Sequence, residues 1–68
     1  MQIRLNGEVK NVEAQINIRE LLIELELDPE QSGIAVAINR EVISKTLWTE
    51  TEICENSEVE IIRAVQGG

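Results

Sequence analysis

Apolar and polar residues alternate at the start of the chain, which predicts a β-strand. Residues 1–5 follow the two-residue period of a strand with one buried face. They run into Asn6-Gly7, the dipeptide best suited to a two-residue type I′ turn, in which both residues have positive φ. A second strand is therefore expected over residues 8–13, and together the two strands would form a hairpin.

The next pattern has the period of a helix and a recognisable beginning. Asn17 stands three residues before Glu20, as a capping box requires. The apolar residues that follow have the spacing i, i+3, i+4, i+7, and they are Ile18, Leu21, Leu22 and Leu25. We expect Asp28-Pro29 to end this helix, because the residue before proline avoids helical geometry.

The second half of the chain reads as three further segments. Residues 34–38 predict a strand buried on both faces or nearly so, with large residues at even positions and alanines at odd ones. A turn at 39–41 leads into a short strand near Val42-Ile43. Leu47-Trp48 is expected to anchor the irregular segment that follows. A last strand is expected over residues 58–64.

This order of elements predicts an α+β domain over residues 1–64, followed by a flexible tail at 65–68. One main helix would cross one face of a mixed sheet of four to five strands. The first and last strands can then lie side by side and parallel in its centre, with the hairpin on one flank and the third strand on the other. By analogy with known folds this is the β-grasp, or ubiquitin-like, architecture.

The same patterns predict which residues face inward. The inward stripe of the helix and the inward parity of the strands comprise Ile3, Leu5, Leu21, Leu22, Leu25, Val36, Ile38 and Ile61.

The face of the sheet opposite the core should be exposed to solvent and should carry an apolar patch. Glu58 and Glu60 are expected to face water, which places further residues of the last strand on the same outer face. Together with the alanines of the third strand they form a predicted partner-binding patch of Ile62, Ala64, Ala35 and Ala37.

Composition narrows the possible functions. The 68 residues can form only one domain, near the lower size limit for a core without disulfides or metal, and multi-step catalysis in a closed pocket is not expected. Thirteen acidic residues against six basic ones give a net charge of −7, which disfavours nucleic acid and favours a basic protein surface. One cysteine and no histidine leave no disulfide and no usual zinc site. Without a leader or an apolar run of membrane-spanning length, we expect a cytoplasmic protein.

The terminal Gly67-Gly68 is the dipeptide with the most chemical meaning. Two terminal glycines arise by chance in only about 0.5% of chains at average glycine frequency. A carboxylate becomes reactive once its oxygen is made a leaving group, for instance by attack on ATP, and this requires the terminus to reach into another protein's active site. Glycines add no side-chain bulk and suit a narrow channel. The alternatives are chance, a cloning remnant, or a frayed end with no role.

The whole chain resembles the ThiS family, the sulfur carrier proteins of thiamine (thiazole) biosynthesis. Beside the length, the resemblance lies in the opening Met1-Gln2-Ile3 with its hairpin, Val36-Ala37-Ile38-Asn39 before a turn, the Trp48 region, and Glu58-Val59-Glu60-Ile61 running to Val65-Gln66-Gly67-Gly68. Among these segments only the terminal Gly-Gly is a motif with a chemical role, and other ubiquitin-like carriers share it.

The resemblance implies a reaction at the last residue. A ubiquitin-activating-type enzyme would use MgATP to adenylate Gly68, sulfur from a persulfide donor would replace AMP, and the thiocarboxylate would deliver sulfur to thiazole synthase. Gly67 would be the obligatory small neighbour, and Gln66 and Val65 would complete the tail that enters the partner's active site. The protein would bind no cofactor of its own and would be a reusable co-substrate, not an enzyme.

Two other functions are compatible with this sequence. The small subunit of molybdopterin synthase shares the fold and the tail but gives its sulfur to a pterin precursor; the short chain and the absence of Phe favour the thiazole branch. The other alternative is an interaction module whose Gly-Gly is idle.

Two single residues invite functional interpretations as well. Cys54 is a rival candidate for carrying sulfur as a persulfide, although a lone cysteine in an aliphatic domain is more often a small core or near-surface hydrophobe. Trp48 would suit an interface anchor, but as the only aromatic residue we expect it to cap the core.

Overall fold

The computed structural model describes residues 1–64. Its strands are β1 (Gln2–Leu5), β2 (Glu8–Asn11), β3 (Ile34–Ile38), β4 (Glu41–Ile43) and β5 (Glu58–Arg63). One α-helix, α1, spans Ile18–Glu24, and a 3₁₀ turn spans Lys45–Leu47. The predictions for the tail, Val65, Gln66, Gly67 and Gly68, lie outside the described residues.

The five strands form one mixed sheet in the order β2-β1-β5-β3-β4. β1 and β5 pair in parallel, and the other neighbours pair antiparallel. The first and last strands therefore lie side by side in the middle of the sheet, with the first hairpin on one flank and β3-β4 on the other. This is the strand order that was expected by analogy, and the β-grasp fold is confirmed.

Both two-residue hairpin turns begin with an asparagine in the left-handed region. Asn6 has a φ of 50° and Gly7 a φ of 86°, as a type I′ turn requires. Asn39 and Arg40 at the β3-β4 turn have φ values of 50° and 70°. Asparagine tolerates this region better than most residues, whereas arginine at such a position is strained. The predicted turns at 6–7 and 39–41 are therefore both present.

The beginning of α1 matches the sequence prediction. The backbone N–H of Glu20 donates to Asn17 Oδ1 at 2.8 Å, and the backbone N–H of Asn17 donates to Glu20 Oε1 at 3.0 Å. This reciprocal capping box satisfies two backbone N–H donors at the N-terminal end of the helix.

The end of α1 was predicted wrongly. The helix stops at Glu24, well before Asp28-Pro29, because Glu26 turns into the left-handed region with a φ of 63°. The Leu27 N–H then donates to Leu22 O, and the Glu26 N–H donates to Ile23 O, both at 2.9 Å. These two bonds are the Schellman motif, in which glycine normally occupies the position that Glu26 takes here. A local backbone reversal thus ends the helix before proline can.

The core lies between α1 and the inner face of the sheet. Ile3, Leu21, Leu22 and Val36 are buried as predicted. The four other predicted members pack against this cluster but stay partly exposed, and they are Leu5, Leu25, Ile38 and Ile61. Loops supply further buried members, namely Val12, Ile16, Trp48 and Ile53.

Trp48 fills one end of this core. Its side chain is buried, and its Nε1–H donates to Ile43 O at 3.1 Å. The expectation that Trp48 caps the core is confirmed. Leu47, which was expected to anchor the same segment, is instead exposed.

Candidate functional site

The candidate site begins where β5 ends and the tail begins. The Ala64 N–H donates to Gly33 O at 2.7 Å, directly after the last residue of β5. Gly33 has a φ of 85°, which side-chain-bearing residues rarely adopt. A side chain at position 33 would meet Ala64 Cβ at 3.5 Å, an ordinary contact. The backbone angle therefore explains the glycine here better than lack of space does.

The strand that leads to the tail is held unequally by its two neighbours. β3 pairs with β5 along its length, from Ile38 opposite Val59 to Ile34 opposite Arg63. β1 pairs with the first two residues of β5 only, Glu58 and Val59. The first half of β5 is thus central in the sheet, whereas its second half relies on β3 for strand pairing.

The predicted patch lies on the outer face of the sheet, beside the point where the chain leaves β5. We call this point, Arg63 and Ala64, the tail root. Ile62 lies opposite Ala35, and 57% of its surface is exposed. Ala64 is exposed and Ala35 is half-buried. Ala37 shares the same face, but it is buried at 7% exposure and offers little contact surface. The prediction that Ala37 belongs to the patch is therefore corrected. Its single methyl group lies on β3 between larger side chains on the two neighbouring strands, Glu60 on β5 and Val42 on β4.

The sequence reasoning missed Val42, which is 70% exposed and pairs with Ala37 across the β3-β4 hairpin. The signal was available, because a two-residue turn at Asn39-Arg40 pairs residue 37 with residue 42 and places both on one face. The outer patch, as the structure defines it, consists of Ala35, Val42, Ile62 and Ala64.

Acidic side chains lie next to this outer patch. Glu58 and Glu60 have the same parity as Ile62, and both are half-buried. They line an open cleft of about 580 Å³ together with Asn6, Gly7 and Arg40. The Arg40 Nε atom lies 3.9 Å from Glu58 Oε1, and the Arg40 side chain is 85% exposed, so this ion pair contributes little stability.

Cys54 lies far from the tail root. It is exposed, and it stands four residues before β5, whereas Ala64 follows the last residue of that strand. The six residues of β5 separate the two ends by roughly 20 Å. Cys54 therefore does not share the site at the tail root.

Residues 1–64 lack both a metal-binding cluster and a membrane-spanning helix. This part of the chain contains no group of three or more histidine, cysteine or acidic side chains that could hold a metal ion. It also contains no helix with the length and apolar character needed to cross a membrane.

Fold and site together define a class of protein. The described residues form a five-stranded mixed sheet with one helix on one face, and the central strand, β5, ends beside an apolar patch. This is the arrangement of a ubiquitin-like β-grasp domain. The ThiS family model matches residues 3–68, and the chain belongs to this family.

Similar proteins cover this chain from end to end. It is 28% identical over 68 residues to the sulfur carrier protein ThiS of Escherichia coli, and the match covers all of both chains. It is 34% identical over 68 residues to a thiazole synthase of Magnetococcus marinus, but it spans only 20% of that protein's length. A thiazole synthase of Paramagnetospirillum magneticum matches in the same way at 29% identity.

A solved structure agrees with the fold. The crystal structure of the thiamine biosynthesis protein ThiS from Geobacter metallireducens superposes with a TM-score of 0.84 at 26% identity, covering all of both chains. The resemblance on which the sequence prediction rested is therefore confirmed.

Proposed function

We propose that this protein is a sulfur carrier of thiamine biosynthesis and that the Gly68 carboxylate is the group that carries the sulfur. The observation that supports this most strongly is the match to the E. coli sulfur carrier over the full length of both chains. The two thiazole synthases support the proposed acceptor, because each contains a segment similar to this whole chain within a longer protein. The protein acts as a co-substrate, and its partners supply the catalysis.

The proposed chemistry begins with the partner enzyme and MgATP. A Gly68 carboxylate oxygen attacks the α-phosphate, pyrophosphate leaves, and an acyl-adenylate forms. The terminal sulfur of a persulfide donor then attacks the carbonyl carbon and AMP leaves. The acyl disulfide so formed is attacked by a thiol, which releases the thiocarboxylate and leaves a disulfide on the donor. Thiazole synthase takes the sulfur, and an oxygen atom from water or from the sulfur acceptor replaces it on the Gly68 carbonyl carbon, which regenerates the carboxylate for another cycle.

The outer patch is the proposed landing site for the activating enzyme. Ile62 is an exposed apolar side chain two residues before Ala64, so a partner that covers it is also next to the tail. Glu58 and Glu60 border the same face, and the whole chain carries a charge of −7. We expect the enzyme to present an apolar surface with basic side chains at its edge, because such a surface is complementary in both respects.

The tail variants test the site of chemistry. Deleting Gly68, or adding one residue after it, should abolish pyrophosphate release with the cognate activating enzyme, because the carboxylate moves by about 3.3–3.6 Å from its reactive position. Gly67→Val should fail too, since a β-branched side chain resists a narrow channel and glycine-only angles.

Cys54→Ser is the matched control for sulfur loading. This variant should form the thiocarboxylate normally, as measured by intact mass after sulfur transfer. Loss of sulfur loading in Cys54→Ser while the tail variants stay active would make the cysteine the carrier and refute the proposal.

Intact mass of the protein from its native cell separates the remaining alternatives. An idle interaction module would show an unmodified carboxylate, whereas a carrier shows replacement of one oxygen by sulfur. Transfer of that sulfur to a pterin precursor, and not to thiazole synthase, would instead identify the molybdopterin branch.

A further inference from the structure

Asn6 continues the sheet at the point where β1 stops. β1 ends at Leu5, and the chain turns away through Asn6-Gly7. The Asn6 side chain then bonds to β5 as a strand residue would: Asn6 Oδ1 accepts from the Ile61 N–H at 2.9 Å, and Nδ2 donates to Ile61 O at 3.4 Å. The Asn6 backbone N–H adds a bond to Val59 O at 2.9 Å.

This contact lies in the half of β5 that β1 does not otherwise pair. The Ile61 bonds stand three residues before Ala64, on the side of β5 that faces away from β3. On the other side the Ala64 N–H is held by Gly33 O. The two contacts hold the end of β5 from opposite edges.

We propose that Asn6 is a positioning residue for the C-terminal tail, holding the second half of β5 in the direction from which the tail enters the partner's active site. This inference rests on the proposed function, because it concerns delivery of Gly68. An asparagine suits the role for two reasons. It tolerates the φ of 50° that the turn needs, and its amide offers one acceptor and donors in the geometry of a peptide group.

Asn39 provides a matched control within the same chain. It is also the first residue of a two-residue hairpin turn, and its φ is likewise 50°. Its Oδ1 accepts from the Glu58 N–H at 2.9 Å, and its own N–H donates to Glu58 O at 2.7 Å. This contact holds the first residue of β5, six residues before Ala64, so its loss should leave the tail root in place.

The test compares Asn6→Gly with Asn39→Gly in the full-length protein. Glycine accepts positive φ, so each variant keeps its turn and loses only the side-chain amide. The first measurement is hydrogen exchange of the backbone amides in the isolated protein, with Val36 in the core as an internal reference for global opening. Exchange at Ile61 and Ala64, whose N–H groups are bonded to Asn6 and Gly33, should be roughly two- to tenfold faster relative to Val36 in Asn6→Gly than in Asn39→Gly, the factor expected for one hydrogen bond.

The second measurement is the kinetics of pyrophosphate release with the activating enzyme. Asn6→Gly should lower kcat by roughly two- to tenfold, because the Gly68 carboxylate is positioned less precisely in the partner's active site. It should change KM little, because the outer patch proposed to bind the enzyme is intact. Asn39→Gly should keep the kcat of the unaltered protein. A role limited to stability would lower the melting temperature of both variants and leave kcat unchanged.

Two results would overturn the inference: equal relative exchange at Ile61 and Ala64 in the two variants, or equal kcat values. If the unaltered protein releases no pyrophosphate with its cognate enzyme, the proposed function fails. In that case the exchange comparison alone decides whether Asn6 holds the end of β5.

Discussion

Glu26→Gly should stabilise this protein, although it removes a side chain from the end of its only α-helix in the described residues. Glu26 occupies the left-handed position of the Schellman motif, with a φ of 63°. This left-handed conformation raises the free energy of a residue with a Cβ by about 1–2 kcal/mol, whereas glycine adopts it without this cost. Against this gain stands the greater freedom of glycine in the unfolded chain, about 0.4–1 kcal/mol. The net stabilisation expected is about 0.5–1 kcal/mol.

Charge adds to the effect in the same direction. Glu26 follows the C-terminus of α1, where the helix dipole disfavours a negative charge, and the chain already carries a charge of −7. Glu26→Gln isolates this contribution, because it removes the charge and keeps the Cβ. Thermal unfolding followed by circular dichroism should show the melting temperature of Glu26→Gly raised by about 2–8 °C, and above that of Glu26→Gln.

Glu24→Gly is the opposing control. Glu24 is the last residue of α1, so the substitution removes the same charge from the same turn but places glycine in a helical conformation. It should cost about 0.5–1 kcal/mol. If Glu26→Gly lowers the melting temperature as Glu24→Gly does, the strain assigned to position 26 is absent and the reasoning is refuted.

Three further predictions concern the core and the outer patch. Leu22→Ala should cost about 2–5 kcal/mol in chemical denaturation, and Leu25→Ala clearly less, because Leu22 is fully buried and Leu25 only partly; equal losses would contradict this packing. Trp48→Phe should cost about 0.5–1.5 kcal/mol beyond its loss of packing, since the part-buried bond from Nε1–H to Ile43 O is lost, and an unchanged unfolding free energy would refute that bond. Ile62→Asp should weaken binding to the activating enzyme and leave the melting temperature nearly unchanged, and normal binding, measured by calorimetry, would show that the patch is placed wrongly.

Local signals in the sequence predicted the elements that depend on neighbouring residues. The Asn17 capping box, the Asn6-Gly7 turn and the alternation of residues 34–38 all act through contacts a few residues apart, and the structure has each of them. The end of α1 was missed because Glu26 adopts a conformation that favours glycine. Pro29 was the stronger signal for a helix end in the sequence, but the chain leaves the helical conformation at Glu26, three residues earlier.

The burial of individual residues was decided by the tertiary structure. Ala37 and Ala35 have the same parity in β3, yet Ala37 is buried and Ala35 only half-buried, because the neighbouring strands cover them differently. Val42 joins the outer patch through its pairing with Ala37, which the two-residue turn at Asn39-Arg40 implies, but its exposure follows from the position of β4 at the edge of the sheet.

By itself the sequence determined the helix cap, the first turn, the strand parities and, through the whole-chain resemblance, the ThiS family. It also carried the Gly67-Gly68 terminus that the proposed chemistry uses, because that chemistry needs a terminal carboxylate and little side-chain bulk. Only the tertiary structure decided how β5 is held. The bond between Asn6 and Ile61 joins residues 55 positions apart, and its existence depends on β1 and β5 lying parallel in one sheet. Contacts of that kind follow from the packing of the whole chain, so no local pattern around Asn6 predicts them.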